Sequence, residues 1–190
     1  VCAAPVMASY FTYYVIRPEG RRNFGELVEP QRPMPAEALV VALDGQPRKL
    51  GELRDQWLLV SVGAAACDAD CRNNLYLQRQ MREAMGREKE RLDWVWLVSD
   101  DAALPADIAP ALEQATVLRA DDAMLAQWLA PQAGHGLSEH LYVVDPQGQW
   151  MMRFPARMDG AGATQARRDL ERLLRASASW DQPGRAKEQP

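Results

Sequence analysis

From residue 37 onward the chain alternates short apolar runs with amphipathic stretches. "ALVVALDG" predicts a strand closing on a turn at Asp44-Gly45, and "QPRKLGELRDQ" returns as a short strand and a turn. "WLLVSVG", residues 57–63, is a continuous apolar run, the pattern of a strand buried on both faces. In "RNNLYLQRQMREAMGREKERL", Leu77, Met81, Ala84 and Met85 recur at helical spacing and charges fill the rest. Glu83 and Arg87 add an i,i+4 pair, while Gly86 weakens the helix locally. "DWVWLVSDD", residues 93–101, predicts the next buried strand. "ATVLRADDAMLAQWLA" predicts a short strand and a helix with Asp121 as N-cap. "EHLYVVDPQGQWMMRFP" predicts a hairpin around Asp145-Pro146-Gln147-Gly148. "ATQARRDLERLLRA" predicts a final helix with Leu170, Leu173 and Leu174 on one face.

The order is hairpin, strand, loop, helix, strand, helix, hairpin, helix. A buried strand–helix–strand implies a right-handed parallel unit. The terminal hairpin and last helix complete an α/β, thioredoxin-like arrangement. It has a mixed central sheet, helices on both faces and an N-terminal hairpin. This domain spans residues 37–176. Residues 17–36, rich in Pro, Gly and Arg and without period, read as a surface linker, and residues 177–190 as a flexible polar tail.

Residues 1–16 carry no charge before Arg17, and Tyr10, Phe11, Tyr13 and Tyr14 cluster as aromatics do at a membrane interface. The expected reading is a partial membrane-anchor helix, short of the about 20 residues of a full span. The tail of a signal peptide, or an apolar helix packed on its own domain or a second copy, are the other readings. Arg17, Arg21 and Arg22 directly after the stretch count against the anchor by the positive-inside rule.

Composition narrows the chemistry. The 190 residues suffice for one domain with a real core, and 47% hydrophobic with 25% charged residues is ordinary for a globular protein. A net charge of −4 without a large basic block argues against nucleic-acid binding. No P-loop, dinucleotide glycine fingerprint, Gly-x-Ser-x-Gly elbow or His-Glu-x-x-His occurs.

Of three cysteines, Cys2 stands alone in the apolar stretch and takes no role, whereas Cys67 and Cys71 form a close pair in "GAAACDADCRNN". The pair falls where the first parallel strand hands over to its helix, the sheet edge at which open α/β folds place their sites. Cys71 lies at the helix start, where unpaired N–H groups and the dipole favour a thiolate. Two such thiols can close a disulfide or clamp a soft metal such as Cu(I). Asp68 and Asp70 disfavour a thiolate and favour a cation, so thiols less acidic than those of a strong oxidant are expected. An alternative role for Asp70 is to cap the helix, its charge still close to both sulfurs. The bland alternative is two small buried residues without chemistry.

"WLLVSVG", "CDADC", the long helix, "WVWLVSDD" and "LYVVDPQGQWMMRFP" resemble the Sco proteins of cytochrome c oxidase assembly. More narrowly, they resemble the membrane-anchored, Sco-related thioredoxin-like proteins of bacterial oxidase operons. The resemblance implies a domain anchored to the bacterial cytoplasmic membrane and facing the periplasm. It also implies a partner, the oxidase subunit that carries the copper site. Sco relatives deliver copper to that site or keep its thiols reduced. They bind copper through both cysteines and one histidine, which here falls on Leu137. The histidines of this chain, His135 and His140, flank that position and are the candidate metal ligands beside Cys67 and Cys71. Arg72 follows Cys71 where Sco proteins commonly carry proline, and no proline directly precedes "LYVVDP", where thioredoxins keep a cis-proline.

Three functions follow as expectations. The first is an assembly factor for a copper-containing respiratory oxidase, as copper chaperone or thiol reductant. The second is a general extracytoplasmic thiol–disulfide oxidoreductase, with Cys67 attacking and Cys71 resolving. The third is a non-catalytic assembly scaffold with a static disulfide.

Overall fold

The computed structural model describes residues 6–7 and 23–181. The expected anchor, apart from Val6 and Met7, lies outside these residues, as do linker positions 17–22 and tail positions 182–190. Among the described residues no helix is long and apolar enough to cross a membrane.

One eight-stranded mixed sheet organises the domain, in the order β1-β8-β7-β4-β5-β6-β2-β3. The predicted first hairpin is β2 (Leu39–Ala42) with β3 (Pro47–Lys49). The two apolar runs are β4 (Trp57–Gly63) and β5 (Leu92–Val98), paired in parallel across helix α1 (Ala69–Ala84). Both occupy the sheet centre, which is why neither shows a polar face. β6 (Thr116–Arg119) leads into α2 (Asp122–Trp128), where the Asp121 carboxylate accepts the Met124 N–H at 2.9 Å, as expected of an N-cap. β7 (Leu141–Val144) and β8 (Gln149–Arg153) flank the predicted turn, and Gly148 takes its left-handed position at φ 86°. α3 (Gly160–Ser177) closes the domain, capped by Asp159.

Helices cover both faces. On one, α1 and α3 bury Leu77, Met81, Ala166, Leu170 and Leu174 against Leu59, Leu141 and Val143 of the sheet. On the other, α2 sets Leu125 and Trp128 against Val60, Val95, Leu97 and Tyr142.

Two boundaries expected from sequence need correction. The linker holds a strand, β1 (Glu26–Pro33), antiparallel to β8 at the sheet edge. An edge strand tolerates Pro30 and Pro33, and its side chains are mostly exposed, so no alternation marked it. The loop before β1 is also held down: Gly25 N–H donates to the buried Asp169 carboxylate at 2.8 Å. Gly25 is required there, because a Cβ would stand 2.5 Å from Met152 Sδ. At the other end the expected flexible tail begins as structure. Ser177 and Asp181 are buried, and Asp181 is ion-paired to Arg91 at 2.7 Å.

Candidate functional site: a disulfide at a helix N-terminus

β4 ends at Gly63, and the chain turns through residues 64–67 before α1 begins. The turn is closed by a Cys67 N–H to Ala64 carbonyl bond of 3.0 Å, with Cys67 in the left-handed region at φ 49°. Asp68, rather than Asp70, is the N-cap: its carboxylate accepts the Cys71 N–H at 2.9 Å. This places Cys71 on the first turn of α1. Cys67 and Cys71 are joined as a disulfide, with S–S 2.02 Å and Cα–Cα 5.0 Å. Both are buried in a cluster with Leu75, Trp94, Trp96 and Ile108.

The surrounding charges are matched. Asp70 meets Arg157 at 3.2 Å, and Arg157 also meets Glu139 at 2.9 Å. Arg72 donates through Nε to the Cys67 carbonyl at 3.2 Å while its Nη1 holds Asp107 at 2.7 Å. The two aspartates of the motif are thus engaged, one as a cap and one with Arg157. The uncompensated negative field expected beside the sulfurs is therefore reduced. Arg72, where relatives carry proline, ties the cysteine turn to the 105–108 segment.

The histidines are placed differently from a metal ligand set. His140 is completely buried: its Nδ1 lies 2.8 Å from the Phe154 carbonyl and its Nε2 accepts the Gln132 N–H at 3.2 Å. That pair of bonds fixes the neutral tautomer with the proton on Nδ1. His135 is partly exposed and contacts Glu139 through Nδ1 at 3.3 Å. It belongs to the rim formed by Asp70, Arg157 and Glu139. Leu137, where Sco relatives place their histidine, packs against the core in a short turn (Leu137–Glu139). Asn74 of α1 bonds the Ser138 carbonyl at 2.9 Å, so this turn runs beside the cysteine helix. Among the described residues no three His, Cys, Asp or Glu side chains converge as a metal site. A Cu(II) centre needs a nitrogen beside the two sulfurs. In this structure both ring nitrogens of His140 are engaged within the protein.

Burial pulls the His140 ring below its ordinary 6.5. The Phe154 carbonyl opposes this, Arg153 and His135 add to it, and Glu139 opposes it. The unfolded ring therefore binds its proton first on acidification. The stability tied to the neutral ring is complete above about 6.5 and is lost as pH falls toward the lower folded value, at up to about 1.4 kcal/mol per pH unit. Urea unfolding of wild type and His140→Gln between about pH 7 and 5 checks this. The variant is expected to show a flatter pH slope from a lower starting stability, and equal slopes would refute the assignment.

A parallel strand–helix–strand core with a dithiol pair at the first strand's carboxyl end defines the thioredoxin-like class. The family model for transmembrane-like, thioredoxin-like C-terminal domains matches residues 57–177, and the chain belongs to that family. No curated protein sequence matches it. Among solved structures it is similar to ScoI of Bradyrhizobium japonicum with copper bound, at 18% identity and TM-score 0.53, covering 72% of this chain and 97% of that one. It is also similar to yeast Sco1 with copper bound, at 13% identity and TM-score 0.58, covering 73% and 90%. A third is a putative protein disulfide isomerase from Bacteroides thetaiotaomicron, at 11% identity and TM-score 0.56, covering 83% and 97%. At these identities the likeness establishes a shared Sco-like fold.

Proposed function

We propose that this protein is a membrane-anchored, periplasm-facing assembly factor for a copper-containing respiratory oxidase, acting as a thiol reductant on the subunit that carries the copper site. One observation carries the choice of reductant: Cys67 and Cys71 close on each other at the helix start, while both nitrogens of the candidate ligand His140 are engaged within the protein. The Sco-like fold, seen in relatives with copper bound, supports the copper context. The anchor in this reading is the apolar stretch 1–16.

In the reduced protein the Cys67 thiolate attacks one sulfur of the partner's disulfide, forms a mixed disulfide and releases one partner thiolate. The Cys71 thiolate then attacks Cys67 Sγ, closing the intramolecular disulfide and releasing the second. Two electrons and two protons pass to the partner. A second dithiol protein restores the pair. Copper carried as cargo is the second reading, favoured by the copper-bound relatives: two thiolates suffice for Cu(I), without histidine.

Reduced protein mixed with an oxidised peptide of the oxidase copper-site loop is expected to free both peptide thiols as the Cys67–Cys71 disulfide forms. No reduction of the peptide, together with Cu(I) binding that requires both cysteines, would replace the reductant reading by the cargo one.

A further inference from the structure

Among the described residues three buried side-chain polar atoms have no hydrogen-bond partner: Gln78 Oε1, Trp96 Nε1 and Arg153 Nε. Gln78 and Arg153 keep other bonds, from Gln78 Nε2 to the Leu59 and Val95 carbonyls and from Arg153 to Ala130 and Glu26. Trp96 has a single polar atom, and its side chain is completely buried. A buried donor left unmade in a folded protein asks for a physical reason.

The reason lies across Gly63. A Cβ on Gly63 would stand 3.6 Å from Trp96 Nε1 and 3.6 Å from Cys71 Sγ. The indole nitrogen and the sulfur thus both border the space a Cβ on Gly63 would fill, at most about twice that distance apart, within one apolar cluster. We propose that the Trp96 indole N–H is the hydrogen-bond donor for the Cys71 sulfur in the reduced protein. This rests on the dithiol reading above. A disulfide sulfur is a poor acceptor, whereas a thiolate is a strong, charge-assisted one. Reduction forces the two sulfurs from bonding distance to non-bonded contact. Cys67 is held at both ends of its backbone, by Ala64 and by Arg72, so the Cys71 side chain is the freer one to turn. Gly63 leaves the approach to Trp96 open. The donor then favours the reduced state and sharpens Cys71 as the resolving thiolate.

Two substitutions test this through different atoms. Trp96→Phe removes the N–H. Gly63→Ala puts a methyl in ordinary contact with both the nitrogen and the sulfur, without strain in the oxidised form. Each is expected to raise the Cys71 thiol pKa by about one unit and to shift the equilibrium with a reference dithiol about tenfold toward the disulfide, about 30 mV more negative. Trp94→Phe, which changes packing in the same cluster, is expected to shift neither. An unchanged potential in Trp96→Phe, or an equal shift in Trp94→Phe, overturns the assignment. If Trp96→Phe fails to fold, the wild-type indole resonances decide. The Trp96 N–H is expected to move downfield on reduction and exchange more slowly, and an unmoved resonance overturns the proposal. A wild-type protein without a reversible Cys67–Cys71 couple would overturn the dithiol reading and this inference together. A reversible wild-type couple indifferent to both substitutions overturns the Trp96 role alone.

Discussion

Asp181→Ala lowers the unfolding free energy by about 3 kcal/mol, the range found when one partner of a buried ion pair is removed. The Arg91 guanidinium is the reason. It directs Nε and Nη2 to Asp181 Oδ2 at 3.1 and 2.7 Å, Nη2 also to Ser177 Oγ at 2.9 Å, and Nη1 to Glu88 at 2.6 Å. Its side chain is 7% exposed and that of Asp181 3%, while Glu88 is half-exposed. Without Asp181 the buried cation keeps only a hydroxyl and a screened surface carboxylate. The loss is felt globally, because Ser177 Oγ also accepts the Trp57 indole N–H at 3.1 Å, tying the end of α3 to the start of β4. Against a typical domain stability of about 5–15 kcal/mol this is a large fraction. In urea the midpoint is expected to fall by about 1 M or more. Replacing both partners, as Arg91→Met with Asp181→Leu, is expected to recover most of the loss, since two apolar groups strand no charge. An Asp181→Ala midpoint equal to wild type would show that the segment swings out and lets water reach Arg91.

Asp181 also marks where reading along the chain fails. Its neighbours are polar and aperiodic, and the residue that buries it is ninety positions upstream. β1 is not legible along the chain for a related reason: its partner β8 supplies the order, and a mostly exposed edge strand with two prolines carries no period-2 signal. His140 stands just before an apolar strand, and only the distant Phe154 carbonyl and the Gln132 N–H make it a satisfied core residue. By contrast β4, β5, the Asp145–Gly148 turn and the Asp121 cap were legible, because each is written by a local pattern. The cysteine pair was legible by the same logic, since a strand run and a helix period bracket it. Choosing Asp68 over Asp70 as cap was not, because only the exact helix phase separates them. Trp96 was hidden as one apolar letter in a buried strand. Its unmade N–H is visible only once Gly63 and Cys71 are placed beside it.

Cys71→Ser is expected to trap the partner as a covalent mixed disulfide on Cys67, and Cys67→Ser to trap none and reduce exchange to the uncatalysed rate. The two sulfurs are similarly buried, so exposure does not choose between them. Their anchoring does. Cys71 lies on a capped helix with its sulfur against Gly63. Cys67 lies in a four-residue turn at φ 49°, a conformation that disfavours a residue bearing a Cβ. Arg72 braces that turn from outside through the Cys67 carbonyl, and Asp107 holds Arg72. A turn closed by one backbone bond and one guanidinium can open further than a capped helix start, which exposes Cys67 first. Either serine also opens the small covalent loop, at a cost of about 2 kcal/mol on the chain-entropy account, so both variants are compared at a temperature where each is folded. Non-reducing electrophoresis with mass spectrometry of the adduct reads the result. Accumulation on Cys71 in Cys67→Ser, with none on Cys67 in Cys71→Ser, would reverse the order of attack and make the sulfur beside Trp96 the nucleophile.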